Sequence, residues 1–334
     1  MMFDATIVHG NLGRQASAIC AAALGLLLFL NPLVGGAATQ TWNAASGNWS
    51  AGANWTPSPA PVNNDSVVFS SIGSGGINTE NLVGLWLNTF NVERGEHTTD
   101  LGGNTLTTAT LRIEGAGGNT NVDLKAVLNI TNGTLAVGTL LDMGIGDRPD
   151  AVLSLAPDVA FQLGSSSANR ASLFRLGPST ATWPNQVFFT AGNSFNAYVT
   201  NMTIGSSGGT SASRDGYGRL DLSSVVNPAV IDVSSSLRIG ASQGGAGDLI
   251  LSDAVDLKIG SESARGLLYI SYYPQSVGIP SRLLLEQGRF DAYLGSLQVG
   301  DGYNSPSGVL YAAQCTGGIL DVTGTVRIAY SQGG

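Results

Sequence analysis

The stretch 237–260, LRIGASQGGAGDLILSDAVDLKIG, holds two copies of one short pattern, Leu237-Arg238-Ile239-Gly240 and Leu257-Lys258-Ile259-Gly260. Between them lie a Gly/Ser loop and a second alternating segment, Leu249-Ile250-Leu251. Apolar residues two apart with a polar residue between them describe a strand with one buried face. The pattern recurs outward in both directions. Phe161-Gln162-Leu163-Gly164, Met202-Thr203-Ile204-Gly205 and Leu297-Gln298-Val299-Gly300 are good copies, and Leu111-Arg112-Ile113 and Val326-Arg327-Ile328 are weaker ones. Each good copy is followed by a Gly/Ser/Asn-rich loop and a further alternating strand, as at Leu220-Asp221-Leu222, Leu268-Tyr269-Ile270 and Val309-Leu310-Tyr311.

Strands this short cannot bury a face alone, but stacked coil on coil they form a continuous core, the logic of a solenoid. The expected fold is all-β, a right-handed parallel β-helix, with an antiparallel β-sandwich as the alternative. The residues before Gly at Leu163, Ile204, Ile239, Ile259 and Val299 are spaced 41, 35, 20 and 40 apart. These gaps suggest coils of ~20 to 25 residues and about 13 coils in all. Leu163, Ile204, Ile239, Ile259 and Val299 should point inward, and Arg238, Lys258 and Gln298 outward.

Composition agrees. The chain has 334 residues, 46 of them Gly, and only 11% are charged, with a net charge of −8. Two lysines, Lys125 and Lys258, and scattered arginines do not make the basic surface of a nucleic-acid binder. Residues 1–38 read as a secretory signal peptide. Arg14 precedes the apolar run Ala16–Leu30, Asn31-Pro32 breaks it, and Gly36-Ala37-Ala38 offers a small-residue cleavage site. The run is shorter than the ~20 residues of a spanning helix. Residues 39–100 then form a Trp-rich cap with the first coils, and 101–334 the solenoid repeats. The last strand, Val326-Arg327-Ile328-Ala329, enters its Gly loop without a following strand, so the chain is expected to stop in mid-repeat.

Beyond residue 38 only Cys315 and His97 remain of their kinds, which removes a disulfide framework and a zinc ligand set of ordinary spacing. No cofactor or metal is expected. His97 lies in Glu93–Asp100, a run that reads as a solvated turn. Gly205-Ser206-Ser207-Gly208-Gly209 fits the serine-hydrolase elbow pattern but lacks the helix and the His partner that chemistry needs. Gly244–Leu249 is similar to a calcium-binding nonapeptide with its Asp one position early, and Asp142, Asp147, Asp150 and Asp158 match no EF-hand. Asp221, Asp232, Asp248, Asp253 and Asp256 are numerous enough for a carboxylate pair of a polysaccharide hydrolase, but Asp at turns commonly bonds its own backbone.

Trp42, Trp49 and Trp55 stand within fifteen residues, followed by Pro57, Pro59, Pro61, Asp65 and the strand Val67-Val68-Phe69. Tryptophan rings stack on sugar faces, so the three are candidate glycan contacts; the other reading is a plug on the open end of the solenoid. The order Trp, Gly-x-Trp, Asn-Trp, Pro, Asp and a Val/Phe strand resembles the start of the autotransporter-associated β-strand repeat proteins, large secreted bacterial surface proteins that often end in a PEP-CTERM-type anchor. That resemblance implies a β-helical, surface-exposed protein without known catalysis and carries over no catalytic residue. The expected function is a secreted cell-surface structural or adhesive module. The alternative is a glycan-binding or polysaccharide-degrading β-helix. Partners would be surface polysaccharide or other cell-envelope components.

Overall fold

A computed structural model describes residues 37–71, 74–115, 125–144, 150–177, 185–191, 193–205, 216–241, 245–272, 281–285, 288–301, 308–312 and 315–330. The signal-peptide segment, apart from its last two residues, lies outside them, as do Asp147 and residues 206–209 of the elbow-like motif. The described chain is a parallel β-solenoid. A 14-stranded and a 10-stranded sheet run its length, and the described helical structure is one short 3-10 turn, Gly52–Asn54. Successive layers pair in parallel, which overturns the sandwich alternative; the antiparallel pair is Thr39–Trp42 with Trp55–Thr56, at the first layer.

The alternation seen in the sequence becomes vertical stacks. In the longer sheet Val67, Phe90, Leu111, Leu141, Phe174, Met202, Leu237, Leu268 and Leu297 lie one above another. Beside them run Phe69, Val92, Ile113, Met143, Leu176, Ile204, Ile239, Ile270 and Val299. All of these are buried. The facing stack in the shorter sheet is His97, Leu128, Leu153, Phe189, Leu220, Leu249 and Leu283. Each side chain is covered by its neighbours above and below, so burial is a property of the stack and not of any one strand.

Leu163, Ile204, Ile239, Ile259 and Val299 point inward as expected. Of the outward trio, Arg238 is exposed and Lys258 half-buried, whereas Gln298 is only 8% exposed. The register is not shifted, because Leu297 and Val299 on either side are buried too. Gln298 stands between Tyr269 and Arg327 in the stack, with a described layer on either side.

Coil length differs from the expectation. Phe90 pairs with Leu111, twenty-one residues on, but Met202 pairs with Leu237, thirty-five on, and the shorter sheet has ten strands instead of the thirteen coils expected. The 20-residue gap from Ile239 to Ile259 is not a coil. Ile239 pairs with Ile270, while Ile259 pairs with Val233, further back along the same strand Ala229–Ala241. The layer above that strand is split into Val255–Ile259 and Gly266–Tyr272, and the chain between them forms a ledge. A second split, between Val159–Leu163 and Ala171–Leu176, carries another. For the same reason Leu268-Tyr269-Ile270 joins the longer sheet, while Leu220–Leu222, Leu249–Leu251 and Val309–Tyr311 join the shorter one.

Candidate functional site

The three tryptophans of the sequence motif lie inside the first described layer. Trp42 and Trp49 are 0% exposed and Trp55 is 3% exposed, so their reading as glycan contacts is corrected: no ring face is left for a sugar. Trp42 meets Trp55 edge-on at 5.0 Å and stacks on Phe69 at 5.8 Å, and Trp49 packs edge-on against Trp55 and Phe90. Two of the three indole N–H groups donate within the cap. Trp49 Nε1 donates to Asn78 Oδ1 at 2.7 Å, and Trp55 Nε1 donates to the Trp49 carbonyl at 2.8 Å. The aromatic demand to bury area at the first described layer decides their position.

His97 is likewise corrected from a solvated turn to a core residue. It lies on the strand Gly95–Asp100, in an inward position that other layers fill with Leu or Phe, and is fully buried. Its Nε2–H donates to the carbonyls of Ser70 at 2.7 Å and Arg94 at 3.0 Å, which places a proton on Nε2. Burial holds its pKa below the ordinary 6.5. A general base needs access to substrate, and this ring has Phe69 against it at 5.0 Å instead.

Four carboxylates, Asp142, Asp232, Asp248 and Asp321, are held by arginines from neighbouring layers. Asp142 accepts two bonds from Arg175, and Asp248, fully buried, accepts two from Arg282 and one from the Tyr217 hydroxyl. Burial, and after it the Asp248 contact, pushes the Tyr217 phenol up to about 12. The calcium-like motif therefore ends in a structural carboxylate. Asp221 pairs with Arg219, and Asp256 accepts the backbone N–H of Arg289 at 3.0 Å. Glu80 is buried with one carboxylate oxygen on the Leu82 N–H, and burial raises its pKa. Burial also pushes the Cys315 thiol up, away from a reactive thiolate. Among the described residues no group of three or more His, Cys, Asp or Glu is placed to hold a metal.

Asp232 leads to the feature that sequence reasoning missed. The ledge Gly164–Arg170 ends in Arg170, whose guanidinium crosses the layer of Tyr198 to reach Asp232 two layers on. It donates to the Asp232 carbonyl at 2.7 Å and to Asp232 Oδ2 at 2.9 Å. The second ledge, Gly260–Arg265, repeats this. Arg265 lies over the Tyr293 ring at 5.6 Å and pairs with Asp321 at 2.7 Å. Both ledges begin with a glycine at positive φ, +66° at Gly164 and +67° at Gly260, and each is closed by a bond from the next Ser N–H, to Asn169 or to Ala264. The signal was present in the chain: SFNAYVTNMTIG (194–205) matches RFDAYLGSLQVG (289–300), and GSSSANR (164–170) matches GSESAR (260–265). Beneath the first ledge, on the outer face, lies a groove of about 370 Å³.

No family model matches the chain, and no match is found among the curated proteins or the solved structures. No helix among the described residues is long and apolar enough to cross a membrane.

Proposed function

We propose that this chain is a secreted bacterial surface protein that serves as a structural or adhesive module and works without turnover. The observation that carries this reading is where the ionisable groups go. Of the five aspartates offered for a hydrolytic pair, Asp232 and Asp248 are tied to arginines one or two layers away and Asp221 to Arg219 on its own strand, and the histidine is sealed in the core. Catalysis needs converging groups with shifted pKa values facing a cleft. His97 and Glu80, whose pKa values burial shifts, face the interior, and the shifted Tyr217 is spent on Asp248. The apolar run Ala16–Leu30 and the small residues at 36–38 support export, and the Trp/Pro/Asp order of residues 42–69 supports kinship with autotransporter-associated β-strand repeat proteins.

The test is to incubate the purified chain with acidic and neutral polysaccharides while following reducing ends and the absorbance of unsaturated products. Retention on a glycan or cell-envelope matrix without release is the expected result. Reproducible release that is abolished by changing a pair of aspartates would replace this reading with a polysaccharide-degrading one.

A further inference from the structure

The groove under the first ledge exists because two outward residues are small. Thr107, Ala136 and Gln162 follow one another across three layers, and the ledge residues Ser165 and Asn169 overhang them. The register supplies a control within the same molecule. Under the second ledge the equivalent three positions are Tyr198, Asp232 and Lys258. Large or charged side chains stand there, where Thr107 and Ala136 leave room. The ledge is built twice, and the space beneath it is left open at the first.

The lining decides the class of ligand. Arg170 borders the groove, but its guanidinium is held by Asp232, so no free charge attracts an ion. Thr107 and Ser165 contribute hydroxyls, and Gln162 and Asn169 contribute amides, groups that both donate and accept. Between them Ala136 and Gly138 give apolar patches. A saccharide ring has the complementary surface, a rim of hydroxyls around C–H faces, whereas a purely apolar ligand would leave the amides unpaired. The ledge is also set in place beforehand. The Ser165 N–H donates to the Asn169 carbonyl at 2.9 Å and the Asn169 N–H to the Ser166 carbonyl at 3.1 Å, which lowers the ordering cost of binding. The volume lies within the ~300–1,000 Å³ of small-molecule sites.

We propose that this groove binds one or two units of a neutral glycan. The inference rests on the adhesive reading above and supplies its ligand class.

The experiment titrates the full chain by calorimetry and NMR with cellobiose, maltose, xylobiose and chitobiose. An oligogalacturonate and a neutral peptide serve as competitors of other chemistry. A Kd of about 10 mM or tighter for at least one neutral disaccharide is expected, a weak single-site affinity of roughly 3 kcal/mol. The double variant Thr107→Tyr, Ala136→Asp, which copies the second ledge, should weaken it at least tenfold. Gln162→Ala should weaken it several-fold while leaving the circular-dichroism melt unchanged, and it serves if the double variant does not fold. Absence of neutral-sugar binding, binding untouched by these variants, or preference for the acidic oligomer or the peptide overturns the groove. If envelope retention survives in those cases, adhesion stands and only the groove falls. Release of reducing ends would instead overturn adhesion without turnover, whatever the variants do to binding.

Discussion

The two ledges are the same device in different company. In the first, Arg170 and Asp232 are 17% and 6% exposed in their side chains; in the second, Arg265 and Asp321 are 26% and 43% exposed. The residues and the crossing over a tyrosine are repeated, so the difference does not come from the clasp. It comes from what lies above. Asp232 is covered by the layer carrying Lys258, whereas Asp321 belongs to the strand Gly317–Tyr330, the last described layer of the longer sheet. In a solenoid the environment of a side chain is set by its neighbours in the stack, and identical local sequences acquire different energetics.

That comparison can be broken in graded steps. Asp232→Ala should cost the most, about 3–5 kcal/mol, because it removes the counter-charge of a largely buried guanidinium that keeps only backbone acceptors; urea unfolding reads this as a lowered midpoint. Asp321→Ala should cost less than about 1 kcal/mol, as exposed ion pairs do. Equal losses at the two sites would show that the upper layer does not matter.

Between these extremes, Gly164→Ala and Gly260→Ala should be matched at about 2 kcal/mol each. Both combine positive φ with a Cβ 2.4 or 2.5 Å from the carbonyl oxygen of Tyr198 or Tyr293. A clear difference between the two would mean that the ledges are not equivalent in their hinge.

The smallest effect sharpens the comparison from a layer outside both blocks. His97 has a folded pKa below 6.5, so the unfolded chain binds its proton more readily in the window between the two values. Its contribution to stability is complete above pH 6.5 and falls as the pH drops through that window. The urea midpoint of the native chain should therefore decline on acidification from pH 7.5 more than that of His97→Gln, which keeps a donor for the Ser70 and Arg94 carbonyls. Parallel pH profiles for the two proteins would remove His97 as the cause.

Much of the fold could be read before any coordinates. Period-two patterns such as Leu237–Ile239 and Leu297–Val299 gave strands and their buried face, since alternation is a local property of extended backbone. The ledges were not read because a gap of 20 residues looks like a coil when counted along the chain. Only pairing reveals that Ile239 and Ile259 belong to adjacent columns. The repeated F-x-A-Y and GS-x-S-A segments could have revealed the duplication, but a search for four-residue strands is too short a window for a unit of three layers.

The sequence by itself determined that the chain is all-β, that its strands stack, and that Leu163, Ile204, Ile239, Ile259 and Val299 form its core. These follow from alternation and glycine placement, which act within a few residues. Tertiary structure alone decided that Trp42, Trp49 and Trp55 are buried and not presented, that His97 takes a leucine's place, and that Asp232 is clasped while Asp321 is half open. It alone opened the groove over Ala136. Each of these depends on residues twenty to sixty positions away that stacking brings within a few ångströms, and a reading of neighbours along the chain does not contain that distance.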